Sequence, residues 1–176
     1  DTDGLIVRNN WSHNNHGPGL WDDFNNVNIL YEGNLVEDNY GPGIFHEIGY
    51  DAVIRDNQVR RNGDEQVWLW ESGILVAASQ NTEVYNNIVE DNKNGITLVD
   101  QCRSGETGSS TINNVVHNNY IRNSGLTGGA TDCGFYEMFS SNDFYENSYV
   151  GDNGWAWGGS EISWDEWKGY FPNDGI

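Results

Sequence analysis

Apolar and polar positions alternate along this chain in short stretches, and no window sustains the three-and-four spacing of an amphipathic helix. The alternating stretches recur around asparagine. They read "IVRNNWSHNN" (6–15), "LYEGNLVEDN" (30–39), "VIRDNQVRRN" (53–62), "VYNNIVEDN" (84–92), "VVHNNYIRNS" (115–124) and "FYENSYVGDN" (144–153). In each copy one Asn falls in register, at Asn10, Asn34, Asn57, Asn87, Asn119 and Asn147. A second follows five places on at Asn15, Asn39, Asn62 and Asn92, with Ser124 and Asp152 departing from the rule. A short turn comes next, then Gly and an apolar residue: Gly19-Leu20, Gly43-Ile44, Gly73-Ile74, Gly95-Ile96 and Gly134-Phe135. Each unit therefore reads as strand, turn, strand, turn.

Units of this length with strand alternation exclude a helical solenoid and leave a stack of parallel strands. A single coil cannot bury its own apolar residues, whereas stacked coils enclose a continuous core and bond each backbone to the next layer. Asn suits the turns because it tolerates left-handed backbone and can hydrogen-bond its equivalent one layer away.

This layout, over about residues 4 to 153, resembles the right-handed parallel β-helix (pectin-lyase-like) family of pectate lyases, polygalacturonases, alginate epimerases and secreted repeat proteins. The resemblance implies an all-β, single-stranded, right-handed parallel β-helix of about six coils over residues 1–157. Residues 158–176 read as a C-terminal cap. There "GGSEISWDEWKGYF" carries Ser163-Trp164-Asp165-Glu166, a helix capping box, with Ile162, Trp164 and Trp167 available to cover the last coil. Trp155 and Trp157 are assigned to the same structural role. No comparable cap precedes Asp1, so the first coil is expected to be covered by something else or to continue a longer helix.

Composition narrows the partners. The 176 residues carry 27 Asp and Glu against eight Lys and Arg, a formal charge of −19. Such a field repels polyanions, so neither nucleic acid nor an anionic membrane surface is an expected partner, and neutral or cationic ligands are favoured. No apolar run approaches the roughly 20 residues that span a bilayer. Cys102 and Cys133 are the two cysteines, read either as one disulfide or as two free thiols.

The strand after each Gly carries the candidate chemistry. The residue next to Gly is apolar and points inward, so the residues two and four places after Gly should face outward. Those are Trp21, Phe45, Leu75, Thr97 and Tyr136, then Asp23, Glu47, Ala77, Val99 and Met138. Asp23 and Glu47 would be stacked about 4.8 Å apart on adjacent coils, where like charges must share a proton, bind a cation or separate their ionisation. Asp22, His46 and Glu137, three after Gly, suggest a distorted strand or a polar network with His46 between Asp22 and Glu47. Inserts at 63–72, 100–110 and 124–133 flank the same column. The first brings Trp68 and Trp70, with Glu71 adjacent, as further stacking surfaces.

These residues point to a secreted, carbohydrate-active protein that binds a polysaccharide in a groove over this strand column and hydrolyses a glycosidic bond. Asp23 and Glu47 would be acid and base or nucleophile, tuned by Asp22, His46 and Glu137. Trp21, Phe45, Tyr136, Trp68 and Trp70 would hold sugar rings. Hydrolysis requires no cofactor. A Ca²⁺-dependent lyase or uronate epimerase is the alternative enzyme, with Ca²⁺ between Asp23 and Glu47, and a non-catalytic carbohydrate-binding or surface module is the alternative outside enzymes. The paired Asp22-Asp23 and the His16-Gly17 step are similar to polygalacturonase elements, but order and spacing differ and Arg-x-Lys is absent.

Overall fold

The structure, a computed structural model, describes residues 2–64, 67–101, 110–132 and 137–175. Cys102 and Cys133 lie outside these residues. The chain winds as a parallel solenoid in which each coil has three strands rather than the two expected. The first coil holds β1 (Ile6–Arg8), β2 (Trp11–His13) and β3 (Leu20–Asp23), and the second β4 (Leu30–Glu32), β5 (Leu35–Glu37) and β6 (Ile44–Glu47). The third holds β7 (Val53–Arg55), β8 (Gln58–Arg60) and β9 (Ser72–Ala77), and the fourth β10 (Glu83–Tyr85), β11 (Ile88–Glu90) and β12 (Asn94–Asp100). Next come β13 (Val115–His117), β14 (Tyr120–Arg122), β15 (Leu126–Thr131) and the short helix α1 (Met138–Ser141). The last coil follows with β16 (Asp143–Tyr145), β17 (Ser148–Val150) and β18 (Gly154–Trp157). Two elements close the end: β19 (Ser160–Ile162), antiparallel to β18, and α2 (Trp164–Tyr170).

Equivalent strands stack into three sheets, ordered β1-β4-β7-β10-β13-β16, β17-β14-β11-β8-β5-β2 and β19-β18-β15-β12-β9-β6-β3. In the first two sheets the middle residue of each three-residue strand points inward. Ile54, Val84 and Val116 form one inner column, and Val36, Val59, Val89 and Ile121 another. Ile44, Ile74 and Ile96 with Val76 and Leu98 supply the third wall. Burying each such side chain is worth roughly 1.5–3 kcal/mol, and the column repeats that gain at every coil.

The registered Asn residues are the corners. The residue before each turns left-handed, as at Asn9 (φ 55), Asp56 (φ 56), Asn86 (φ 55) and Asn118 (φ 52). This folds the following Asn side chain into the wall. Asn10, Asn34, Asn57, Asn87 and Asn119 each donate from backbone N and Nδ2 to Oδ1 of the Asn one coil on, at 2.9–3.0 Å. The second ladder runs Asn15, Asn39, Asn62, Asn92 and continues through Ser124 to Asn153, so Asn153 rather than Asp152 holds its last place.

The first ladder ends on a carboxylate. Asp174, fully buried, accepts from Asn147 N and Nδ2 on Oδ1 and from the Tyr149 hydroxyl and Trp167 indole on Oδ2. The cap expected from the sequence is present: Ser163 and Glu166 form the capping box, and Trp167 and Phe171 seal the core against Phe144 and Trp157.

The fifth coil corrects the reading of the sequence. Its third-sheet strand is β15, inside the segment taken for an insert: Thr97 pairs with Gly128 and Leu98 with Gly129, while Gly134 and Phe135, where the strand was expected, lie outside the described residues. Met138, expected to face outward, is fully buried in the core. Gly129 makes its room, because a Cβ there would come within 2.7 Å of Met138 Cε and Trp157 Cζ3.

Candidate functional site

The glycine before each third-sheet strand is set by close approach between coils. A Cβ on Gly19 would lie 2.5 Å from Val36 Cγ1 and 2.7 Å from the Gly43 carbonyl, and one on Gly43 would lie 2.5 Å from Val59 Cγ1. The chain passes this corner so tightly that β3 and β6 lock in exact-repeat register. Trp21 faces Phe45, Asp22 faces His46, and Asp23 faces Glu47. Adjacent strands stand about 4.8 Å apart, so the two carboxylate-bearing residues are neighbours, as the repeat implied.

Their surroundings differ from expectation. Trp21 is 55% exposed and Asp23 is exposed, but Phe45 and Glu47 are 8% and 4% exposed. Phe45 is covered by the insert, whose residues 67–72 fold over the outer face of the third sheet instead of bordering it, while Glu47 is held by Trp21 of β3 and by Gln101. Leu69, fully buried, fills a second apolar cluster with Phe45, Leu75, Ala77, Val99 and Ala130. The Leu69 carbonyl is pinned by the Ser72 and Thr97 hydroxyls, both at 2.8 Å. Outward positions in β9 and β12 are therefore shut off from water, and the open part of this face lies at β3.

Glu47 accepts on Oε2 from the Trp21 indole at 3.2 Å and on Oε1 from the Gln101 amide at 2.7 Å. A Ca²⁺ ion between Asp23 and Glu47 would have to displace those two donors. Among the described residues no group of three or more His, Cys, Asp or Glu side chains is arranged around a cation.

Asp22 and His46 lie on the opposite, inner face. His46 Nδ1 is 2.9 Å and 3.0 Å from the two Asp22 oxygens, and Asp22 also accepts from the Tyr31 hydroxyl at 2.7 Å and from Asn26 Nδ2 at 3.3 Å. Burial, reinforced by the Asp22 carboxylate, pushes the Tyr31 hydroxyl well above its ordinary value, so it remains a donor to Asp22. His46 thus bonds Asp22 as expected, but Glu47 points away across the sheet. His46 Nε2 has no hydrogen-bond partner and lies against Gly49, where a Cβ would come within 2.7 Å of it. Glu137 is exposed at the N-cap of α1, and Tyr136 lies outside the described residues.

Aromatic rings gather where the outer face opens. Trp21 stacks on Phe45 with centroids 5.8 Å apart and planes at 6°, and Trp70 meets Phe45 edge-on at 6.4 Å. Trp68 is 41% exposed at the crest of the insert. Beside them runs a groove of about 290 Å³ walled by Tyr40, Pro42, Phe45, Trp70, Glu71 and His16. Tyr40 was not singled out in the sequence, and His16 only for its His16-Gly17 step, not as part of a groove. The signal was there: "HGPGL" at 16–20 returns as "YGPGI" at 40–44, placing a ring ahead of the same Gly-Pro-Gly corner in two coils.

A family model described as a right handed beta helix region matches residues 1–73, and the strand pairing carries the same winding through β18. The chain is a right-handed parallel β-helix. No curated protein and no solved structure matches it. In this β-helix the chemistry available to the open face is that of flat π surfaces, which bind the apolar faces of ring compounds, beside one solvated and one sheltered carboxylate.

Proposed function

We infer that this β-helix binds a polysaccharide over the open end of its third sheet and hydrolyses a glycosidic bond between Asp23 and Glu47. The fold itself is that of carbohydrate-active proteins and surface modules. The observation that carries the finer reading is the half-exposed Trp21 indole lying flat on Phe45 beside the groove of Tyr40 and Trp70. Rigid rings on a sheet offer stacking area at little conformational cost. Asp23 and Glu47 stand in register on adjacent strands about 4.8 Å apart, a backbone spacing from which two carboxyl groups can reach the roughly 5–5.5 Å separation of a retaining pair. Asp23, open to water, is assigned as nucleophile or base and the sheltered Glu47 as acid. The Trp21 indole, which holds a Glu47 oxygen, links the stacking surface to the acid. A polysaccharide partner implies a place outside the cell.

The burial of Glu47, with both oxygens accepting hydrogen bonds, favours a second reading, a module that binds without cleaving. Incubation with a panel of polysaccharides and analysis of reducing ends separates the two. Hydrolysis predicts products from the wild type and their loss in Asp23→Asn and Glu47→Gln, each still bound to the same glycan. Retention without products from the wild type selects the module.

A further inference from the structure

The aromatic groove does not stop at Tyr40. On the other side of the His16 and Tyr40 side chains it opens into a polar trough of about 610 Å³ along the corner between the second and third sheets. The stacked corners place one charged side chain per coil on this trough: Asp38, Arg61 and Asp91, with Asp64 beside them. Three carboxylates therefore line it against one guanidinium. That guanidinium is already committed, since Arg61 binds both Asp38 oxygens, at 2.7 Å and 2.8 Å, and a Glu37 oxygen at 2.7 Å. Asp91 is reached from outside the trough by Arg122 at 3.1 Å. Asp64 is exposed, takes part in no ion pair with any described residue, and is fixed by its backbone N–H donating to the Tyr40 carbonyl at 2.9 Å. Lys93 stands near Gly63 in the next coil, yet no ion pair joins it to Asp64.

A ligand crossing from the rings of Tyr40 and Trp70 into this trough meets stacking surfaces first and then Asp64, the one of the three carboxylates with no ion pair among the described residues. Resting on the carbohydrate-binding reading, we propose that the preferred glycan is one of amino sugars carrying free, protonated amines, with a ring stacked at Tyr40 and an ammonium group beside Asp64. The formal charge of −19 adds a long-range field of the same sign, which favours a polycation and repels uronate or sulfated chains. Ring hydroxyls would meet the exposed amide of Asn14 and the His16 ring at the trough's rim.

The test is calorimetric titration of the intact chain, at mildly acidic pH and low salt, with three β-linked hexamers. One is a glucosamine hexamer, one its fully N-acetylated form, and one the glucose equivalent. The proposal expects the free-amine hexamer to bind about tenfold tighter than the acetylated one, as one ion pair near a surface would give, with the advantage erased by high salt. Asp64→Asn, a change at an exposed side chain, should remove most of that advantage and leave the affinity for the glucose hexamer unchanged. Equal affinity for the amine and acetylated forms, or an advantage that survives in Asp64→Asn, overturns the charge preference while leaving carbohydrate binding intact. Binding of none of the three removes both readings.

Discussion

Asn57 shows how one residue type holds the solenoid together. Its Oδ1 accepts the backbone N–H and amide of Asn34, while its own Nδ2 donates to the Tyr31 carbonyl and to Asn87. All of this is buried, and the partners have no other wall to turn to. Asn57→Ala strands several polar groups at once, each worth about 1–3 kcal/mol when left unpaired. The expected loss is roughly 3 kcal/mol in urea unfolding, whereas Asn14→Ala, at an exposed position with left-handed backbone (φ 53), should cost only the backbone strain, about 1 kcal/mol. Such positions were legible in the sequence because Asn recurs at them in coil after coil, a side chain that both accepts from one coil and donates to the next. Asp174 was not legible. It performs the same duty at the last rung, but an acidic residue near the end of a chain with 27 of them carries no distinguishing mark.

Strands of this fold are legible when their inner residues are apolar, and β15 shows what happens otherwise. Leu-Thr-Gly-Gly-Ala-Thr puts Thr127 and Gly129 inward, and the core volume is restored by Met138 and Trp157 from elsewhere. The segment therefore looked like a loop. Gly128 beside it sits at φ +144, and a Cβ would lie 1.9 Å from the Ala156 carbonyl of β18. Gly128→Ala must pry β15 from β18 and should cost about 3 kcal/mol, read from the urea midpoint. Gly169→Ala in α2 is the contrast: no atom lies within 4 Å of its Cβ, so the helix should gain roughly 0.5–1 kcal/mol. The covering of the third sheet was hidden for a related reason. One Leu at position 69, in an otherwise polar and aromatic insert, gives no sign from sequence that it will plug a sheet face and pack on Phe45.

At the scale of the molecule, the excess of acid is partly harnessed by ion pairs across the second sheet. The Arg60 hydrogen bond, opposed by partial burial and aided by Trp11 and Arg61, holds Glu37 below its ordinary 4.5, and the Arg61 hydrogen bond holds Asp38 below its ordinary 3.8. Groups depressed in the folded state add stability that is complete above the ordinary values and is lost as pH falls through the folded ones. Thermal stability should thus hold from neutral pH to about 5 and decline below about 4. The Glu37→Gln, Asp38→Asn double variant should be less stable than wild type at neutral pH and show a shallower acid limb, measured by melting across that range. Fold and repeat were open to sequence reasoning because each coil restates them; the candidate binding surface was only partly so, because it is assembled from rings of two coils and an insert.

Trp21 and Trp70 are the proposed platform for sugar rings, and retardation of the intact protein in native gels containing soluble polysaccharide tests this most directly. Stacking predicts retardation of the wild type by at least one glycan, reduced about five- to tenfold in apparent affinity in Trp21→Ala and Trp70→Ala, as loss of one stacked ring should give, with Trp21→Ala still melting cooperatively but a few degrees lower for the lost bond to buried Glu47. A wild type that migrates freely through every glycan, or variants retarded as strongly as the wild type, would contradict it.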